Sequence, residues 1–335
     1  MTQHLERQAA AEDREQGSAP ALTFSVLAFR FTFRAEDAVR FPAGQAGNTL
    51  RGAFGTIFRR LVCVPECPGP RECERRLVCP YARIFEPAVA RPAPSGLADP
   101  PRPFVFRAAH LDGSGIAPGE CFHFDLHLFD CREPALEHFA AAFSELAREG
   151  LGPGRGRAEL VSVDRLDARR EPVERVLDRG AWLRKEGWPP IELSLAPDRR
   201  AVSRIVVRFL TPAELKAGRR IVSKPEFAVL FARVRDRVGT LRALYGEGPL
   251  PVDFKAMGER AAAVRLTRCE LRWEKTLRRS TRTGRRHPLG GFTGEAAYEG
   301  ELAEFLPYLR AAGWTGVGRH TVWGNGAIEV VAADA

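Results

Sequence analysis

The sequence predicts an α+β protein built from two consecutive units, each running β-α-β-β-α-β. Three observations carry this. Each half orders its apolar segments in that succession. Each half places a glycine loop between its last helix and its last strand. A charged, proline-bearing stretch, "DARREPVERVLDRGAWLRKEGWPP" (167–190), stands between them.

In the first half, "ALTFSVLAFRFTFRA" (21–35) alternates as a strand does. "AGNTLRGAFGTIFRRLV" (46–62) spaces Leu50, Phe54, Ile57, Phe58 and Leu61 along one helical face, with Asn48 as the expected N-cap. After a cysteine-rich insertion come two strand-like segments, "RPFVFRAAHL" (102–111) and "ECFHFDLHLFD" (120–130). A helix, "PALEHFAAAFSELAREG" (134–150), and a glycine loop entering a strand (150–166) close the unit. The second half repeats the order. It has a strand at 201–212, a helix at 224–246 with Pro225 in its first turn, and strands at 263–276 and 290–300. A helix at 300–313, the glycine loop and the strand "AIEVV" (327–331) follow. This is the ferredoxin-like (RRM-like) split unit used twice, a sheet that also serves as a platform for single-stranded RNA. The expected organisation is a disordered tail at 1–20, a first domain at 21–175 carrying the insertion 63–79, and a second at 176–335 with glycine loop 313–326.

Net charge is +9 over 335 residues, and it is uneven. Residues 199–286 hold 23 Lys/Arg against 8 Asp/Glu, so the rest of the chain is acidic on balance. A basic half points to a polyanionic partner. No apolar run has the length of a membrane span, and the polar N-terminus reads as no secretory signal, so a cytoplasmic chain without a membrane partner is expected. The seven cysteines then read as thiols or metal ligands, not disulfides. Cys63, Cys67, Cys73 and Cys79 follow C-x3-C-x5-C-x5-C among prolines, glycine and charges. Structural zinc is the simplest expectation, with an iron–sulfur cluster or free thiols as the alternatives. Cys121, Cys131 and Cys269 read as ordinary buried thiols.

The closing segment "GWTGVGRHTVWGNGAIEV" (313–330) follows a helix and precedes a strand. That order is the reverse of a dinucleotide fingerprint, and the chain has no P-loop string. Together with "GGFTGEAAYEG" (290–300), it resembles the C-terminal signature of the RAMP proteins of CRISPR systems. "GNTLRGAFGTIFRRLVC" (47–63) and "CPYARIFEP" (79–87) are similar to the N-terminal part of their precursor-crRNA processing endoribonucleases, the Cas-six family. The resemblance covers about residues 21–331. It implies tandem ferredoxin-like domains with RNA across or between them, and one cut per CRISPR repeat without a catalytic metal. In that reaction the 2′-OH attacks, leaving a 2′,3′-cyclic phosphate and a 5′-OH. It also implies that Gly316, Gly318, Gly324 and Gly326, with Arg319, bring backbone amides to an RNA backbone.

Many members of that family use a histidine at or near the first helix, and residues 46–62 contain none. The candidates for catalysis are therefore His320 in the glycine loop, His287 at the end of "RRSTRTGRRH", and Arg51 on the first helix; His110 is a further histidine to place. His123 and His127, alternating with apolar residues, read as structural. Lys275, Arg278, Arg279, Arg282, Arg285 and Arg286 fall in an expected hairpin suited to gripping phosphates. Trp273 and Trp323 are candidates for base stacking or core. The competing reading is a non-catalytic crRNA-binding RAMP subunit that works beside other effector-complex subunits.

Overall fold

The computed structural model describes residues 22–64, 66–69, 72–87, 100–275, 277–279, 286–288 and 290–333. The expected tail at 1–20 lies outside them, as do Arg282 and Arg285. The architecture is mixed α/β with antiparallel sheets.

The first unit opens with β1 (Thr23–Ala35) and a short β2 (Val39–Arg40), then α1 (Ala46–Val62) and the five-residue α2 (Pro80–Ile84). β3 (Phe104–Arg107), β4 (Gly115–Ile116), β5 (Cys121–Leu128), α3 (Leu136–Glu149) and β6 (Ala158–Leu166) follow. Then come β7 (Pro172–Asp178), β8 (Ala181–Trp182) and β9 (Ile191–Ser194). The sheet order is β3-β5-β1-β6-β7-β8, with β9 added to the start of β1. The domain boundary expected at 175 is therefore corrected. Residue 175 sits inside β7, and 191–194 still pair with β1, because Val176, Leu177 and Trp188 are buried in the first core.

The second unit runs β10 (Arg204–Ala213), a hairpin of β11 (Lys216–Ala217) and β12 (Arg220–Ile221), then α4 (Phe227–Tyr245), α5 (Phe254–Ala262) and β13 (Arg265–Glu274). β14 (Leu277–Arg279) and β15 (Arg286–Pro288) form a separate ladder, and β16 (Gly291–Glu299), α6 (Leu306–Thr315) and β17 (Ile328–Ala333) complete it. Its sheet order, β13-β16-β10-β17, matches β3-β5-β1-β6 of the first unit, strand for strand in chain order.

Three helix starts differ from the sequence expectation: α4 begins at Phe227 with Glu226 as its N-cap, so Pro225 lies outside its first turn. α1 starts at Ala46, so Asn48 lies inside its first turn; the Ala46 N–H is instead accepted by Asp112 Oδ1 at 2.8 Å, a cap from outside the helix. α6 begins at Leu306 with Pro307 in its first turn, later than expected.

β1 explains how the halves join. Phe29, Phe31 and Phe33 enter the first core, where Phe54 of α1 stacks on Phe139 and Phe143 of α3. Phe24, Val26 and Ala28, on the opposite face, enter the second core beside Phe231 and Leu309. A strand buried on both faces loses its clean alternation, which is why "SVLAF" is apolar almost without a break.

Candidate functional site

The glycine loop between α6 and β17 is packed on the first unit. Gly47, in the first turn of α1, lies so close to the loop that a Cβ there would fall 2.3 Å from the Trp323 carbonyl oxygen. Gly324 lies against the Phe106 carbonyl of β3. Gly326, at φ +67°, would set a Cβ only 1.9 Å from the Val317 carbonyl oxygen, so the loop closes on itself only with glycine there. The loop is also stitched to the end of β10: Thr211 Oγ1 donates to Gly324 O at 2.8 Å and accepts from Ala327 N at 2.8 Å.

This corrects one expectation. The Gly316, Gly324 and Gly326 amides donate to the carbonyls of Ala312, Thr321 and Pro212, and their close approaches, like that of Gly318 to Glu214 O, are to protein backbone. The glycines let two domains and three chain segments meet; they do not display these three amides to RNA.

What the loop presents is a 3₁₀ turn (Thr321–Trp323) with His320 at its head. His320 adopts φ 65° and ψ 21°, the left-handed region that side chains other than glycine rarely enter. Its ring stacks on Trp323 with centroids 4.5 Å apart and planes 10° apart. Arg51, from α1, brings its guanidinium to 5.6 Å from the same indole and 4.3 Å from the Phe85 ring. Arg102 lies over Phe85 as well and donates to the Phe85 carbonyl. His320, Trp323, Arg51, Phe85 and Arg102 thus form a column across the domain junction. The structure brings together His320 and Arg51, two of the three candidates, through Trp323. Trp323 itself is half-buried, with one ring face covered by His320.

Arg319 is exposed and pairs with the buried carboxylate of Glu214, while its N–H donates to Glu214 O at 3.1 Å. Glu214 opens the β11–β12 hairpin, whose cations Lys216, Arg219 and Arg220, with Lys224 beyond it, make no ion pair among the described residues. The string "LKAGRRIVSK" (215–224), with its run of cations and no acid, was the signal for this element, and sequence reasoning passed over it.

The other candidates scatter. His287 lies opposite Arg278 in the β14–β15 ladder, and Arg279 opposite Arg286; this is the expected hairpin, described there by its backbone. Lys275 is exposed just before it. His110 is exposed, stacked at 4.6 Å on His123, whose carbonyl meets its Nε2 at 2.8 Å. Cys121 is exposed, which corrects its expected burial. Arg268 and Arg208 both reach Glu295, at 3.0 and 2.9 Å, and Arg265 reaches Glu299 at 3.4 Å. The outer face of the second sheet is therefore largely a self-neutralised charge ladder, with Trp273 exposed on its edge strand.

Beneath the column the junction is locked by the C-terminus of α6, whose last carbonyls lack helical partners. Arg107 Nη2 donates to Trp314 O at 2.9 Å and Arg170 Nη2 to Gly313 O at 3.0 Å. Arg237 Nε donates to Thr315 O at 2.9 Å, and His127 Nδ1 to Trp314 O at 3.0 Å. Cations at a helix C-terminus are favoured by its dipole. Burial, and then the charge of Arg107, hold His127 well below the usual histidine range, so it stays neutral. Burial likewise lowers Arg107.

Residues 207–328 match the model of the CRISPR-associated endoribonuclease Cas6. Residues 23–187 match a second model, described as an AF_1859 N-terminal domain. An uncharacterised protein of Archaeoglobus fulgidus is 27% identical over 254 residues, spanning 75% of this chain and 79% of its own. A product complex of Thermus thermophilus Cas6 is similar in structure at 18% identity and a TM-score of 0.51, covering 92% of this chain and 99% of that one. A Cas6-RT-Cas1–Cas2 complex gives a TM-score of 0.54 at 12% identity, over 94% of this chain and 47% of the other. Both likenesses speak to the fold. Among the described residues no helix is long and apolar enough to cross a membrane.

Proposed function

We propose that the protein is an endoribonuclease that binds CRISPR repeat RNA and cuts precursor crRNA at the domain junction. The match of residues 207–328 to the Cas6 endoribonuclease model supports the class of reaction. The observation that carries the site is His320, held in a left-handed conformation on Trp323 with Arg51 at the same indole. A strained, non-glycine residue costs about 1–3 kcal/mol, and such strain gathers at functional sites.

The chemistry is an internal transesterification. The 2′-oxygen beside the scissile phosphate attacks phosphorus, the P–O5′ bond breaks, and a 2′,3′-cyclic phosphate and a 5′-OH result. One group takes the 2′-proton and one protonates O5′, and cations offset charge on the phosphorane. His320 serves as general acid or base, and Arg51 and Arg319 supply positive charge. The nucleophile belongs to the RNA, so the scheme calls on no catalytic metal.

Binding rests on two basic hairpins: the β14–β15 arm carrying Arg278, Arg279, Arg282, Arg285 and Arg286, and the β11–β12 arm rooted on the glycine loop at Glu214. Trp273 offers a face for a base. The matching strand orders support reading both units as ferredoxin-like. The lack of any histidine in 46–62 favours a second reading, a crRNA-binding subunit that does not cut. One substitution separates the two. His320→Ala should slow single-turnover cleavage of repeat RNA by roughly 10²–10⁴-fold and leave RNA affinity nearly unchanged. A loss of only a few fold would make His320 a phosphate contact, and a wild-type protein that binds but never cuts would leave the subunit reading standing.

A further inference from the structure

The insertion between α1 and α2 is unusual in what holds it. Segment 63–79 leaves its large apolar side chains in water: Val64 is 51% exposed, Leu77 75% and Val78 82%. It therefore has no core of its own, yet it is drawn into tight turns. Cys67 N–H donates to Val64 O at 3.1 Å, Cys73 N–H to Gly69 O at 3.0 Å and Arg76 N–H to Cys73 O at 3.1 Å. A segment that cannot be held by burial needs a cross-link.

The thiols are neighbours across these turns: Cys63 lies near Cys67 and Cys79, and Cys67 near Cys73. All four are free cysteines. Cys63 follows the last turn of α1 and Cys79 precedes the first turn of α2, both packed on the first core, so two of the four are anchored by the fold. Arg59, from α1, ties down the third by donating to the Cys67 carbonyl at 3.0 Å. Among the described residues no three metal-binding side chains already converge as a coordination shell. A bound ion would have to draw them together, as metal does in segments that order on binding it.

We propose that Cys63, Cys67, Cys73 and Cys79 bind one divalent zinc ion as four thiolate ligands. Four protein ligands leave no open position, so the ion is structural and takes no part in cutting RNA. Its effect reaches the candidate site through a short path. Cys79 leads α2, α2 delivers Phe85, and Phe85 carries the Arg51 guanidinium. The fit there is close: a Cβ on Gly55 of α1 would lie 2.0 Å from the Phe85 ring. Zinc thus fixes the platform of a positioning contact from the far end of a single short helix.

The experiment uses the full chain, purified under reducing conditions without chelator. Elemental analysis should give about one zinc per chain, and Cys73→Ser should lose it, while the control Cys269→Ser keeps it. Because Cys73→Ser could also simply unfold the insertion, wild-type protein grown with cobalt supplies a second measurement. It should absorb as a tetrahedral cobalt–thiolate centre, and zinc should displace the band at one equivalent. Iron with acid-labile sulfide would overturn the assignment. So would a metal-free, folded chain whose four thiols alkylate freely in the presence of zinc. RNA cleavage by the same preparations is scored separately, so loss of the zinc reading leaves the nuclease reading untouched.

Discussion

Gly47→Ala puts the domain junction under a measured load. The added Cβ would lie 2.3 Å from the Trp323 carbonyl oxygen and 2.9 Å from its carbon, where ordinary contact begins at 3.4 Å. The obstruction is backbone, so the loop must retreat by about an ångström, carrying the Trp323 indole and the His320 ring with it. Overpacking of this kind costs about 1–3 kcal/mol, against a gain of up to about 1 kcal/mol for alanine over glycine inside a helix. The net expectation is a loss of roughly 0–2 kcal/mol in urea unfolding. The effect on cleavage should be far larger, about 10²-fold, since an ångström of misplacement at a reacting centre has that weight. Gly52→Ala, in the same helix with nothing within 4 Å of its Cβ, is the control: it should stabilise slightly and cut at the wild-type rate. If Gly47→Ala behaves like Gly52→Ala, the loop does not press on α1 and the junction is not the site.

Other expectations follow from the clamp and from the basic arm. His127 has a depressed pKa when folded, so the unfolded chain binds the extra proton and stability falls as pH drops below about 6.5, by up to ~1.4 kcal/mol per unit. His123 and His138 are shifted the same way by burial, so the quantity to compare is the slope of melting temperature against pH in wild type and in His127→Gln; the variant should be flatter, and equal slopes would exonerate His127. Reversing Lys216, Arg219 and Arg220 to glutamate should weaken repeat-RNA binding and reduce the slope of log K against log salt by up to about 2, near 0.7 for each phosphate left un-neutralised. An unchanged slope would take the β11–β12 arm off the RNA path.

The periodic elements were legible in the sequence because apolar spacing reports on burial; α1 spans the segment its stripe marked out, with Leu50, Phe54, Ile57 and Phe58 buried and Leu61 exposed. The strand ladder of the second unit was legible for the same reason. The glycine loop was read correctly as a place of close approach, but not what it approaches. Glycine signals that a backbone comes near, and only tertiary structure tells whether that backbone is RNA or Trp323 O of the same chain. Residue 175 looked like linker because charge and proline dominate there, whereas Val176 and Leu177 beside it are buried in the first core. The clamp on α6 was hidden in principle: Arg107, His127, Arg170 and Arg237 are far apart in sequence and converge on main-chain carbonyls, which carry no sequence signal.

The central claim is that this chain cuts repeat RNA by turning the RNA's own 2′-OH on the adjacent phosphate. Its direct test is a single-turnover reaction on two repeat RNAs that differ by one oxygen, the 2′-OH beside the scissile phosphate. The intact RNA should yield one cut, with a 2′,3′-cyclic phosphate on one product and a 5′-OH on the other. The 2′-deoxy RNA should bind with nearly the same affinity and stay whole. Cleavage of the deoxy substrate, or a 5′-phosphate on the product, would contradict the account.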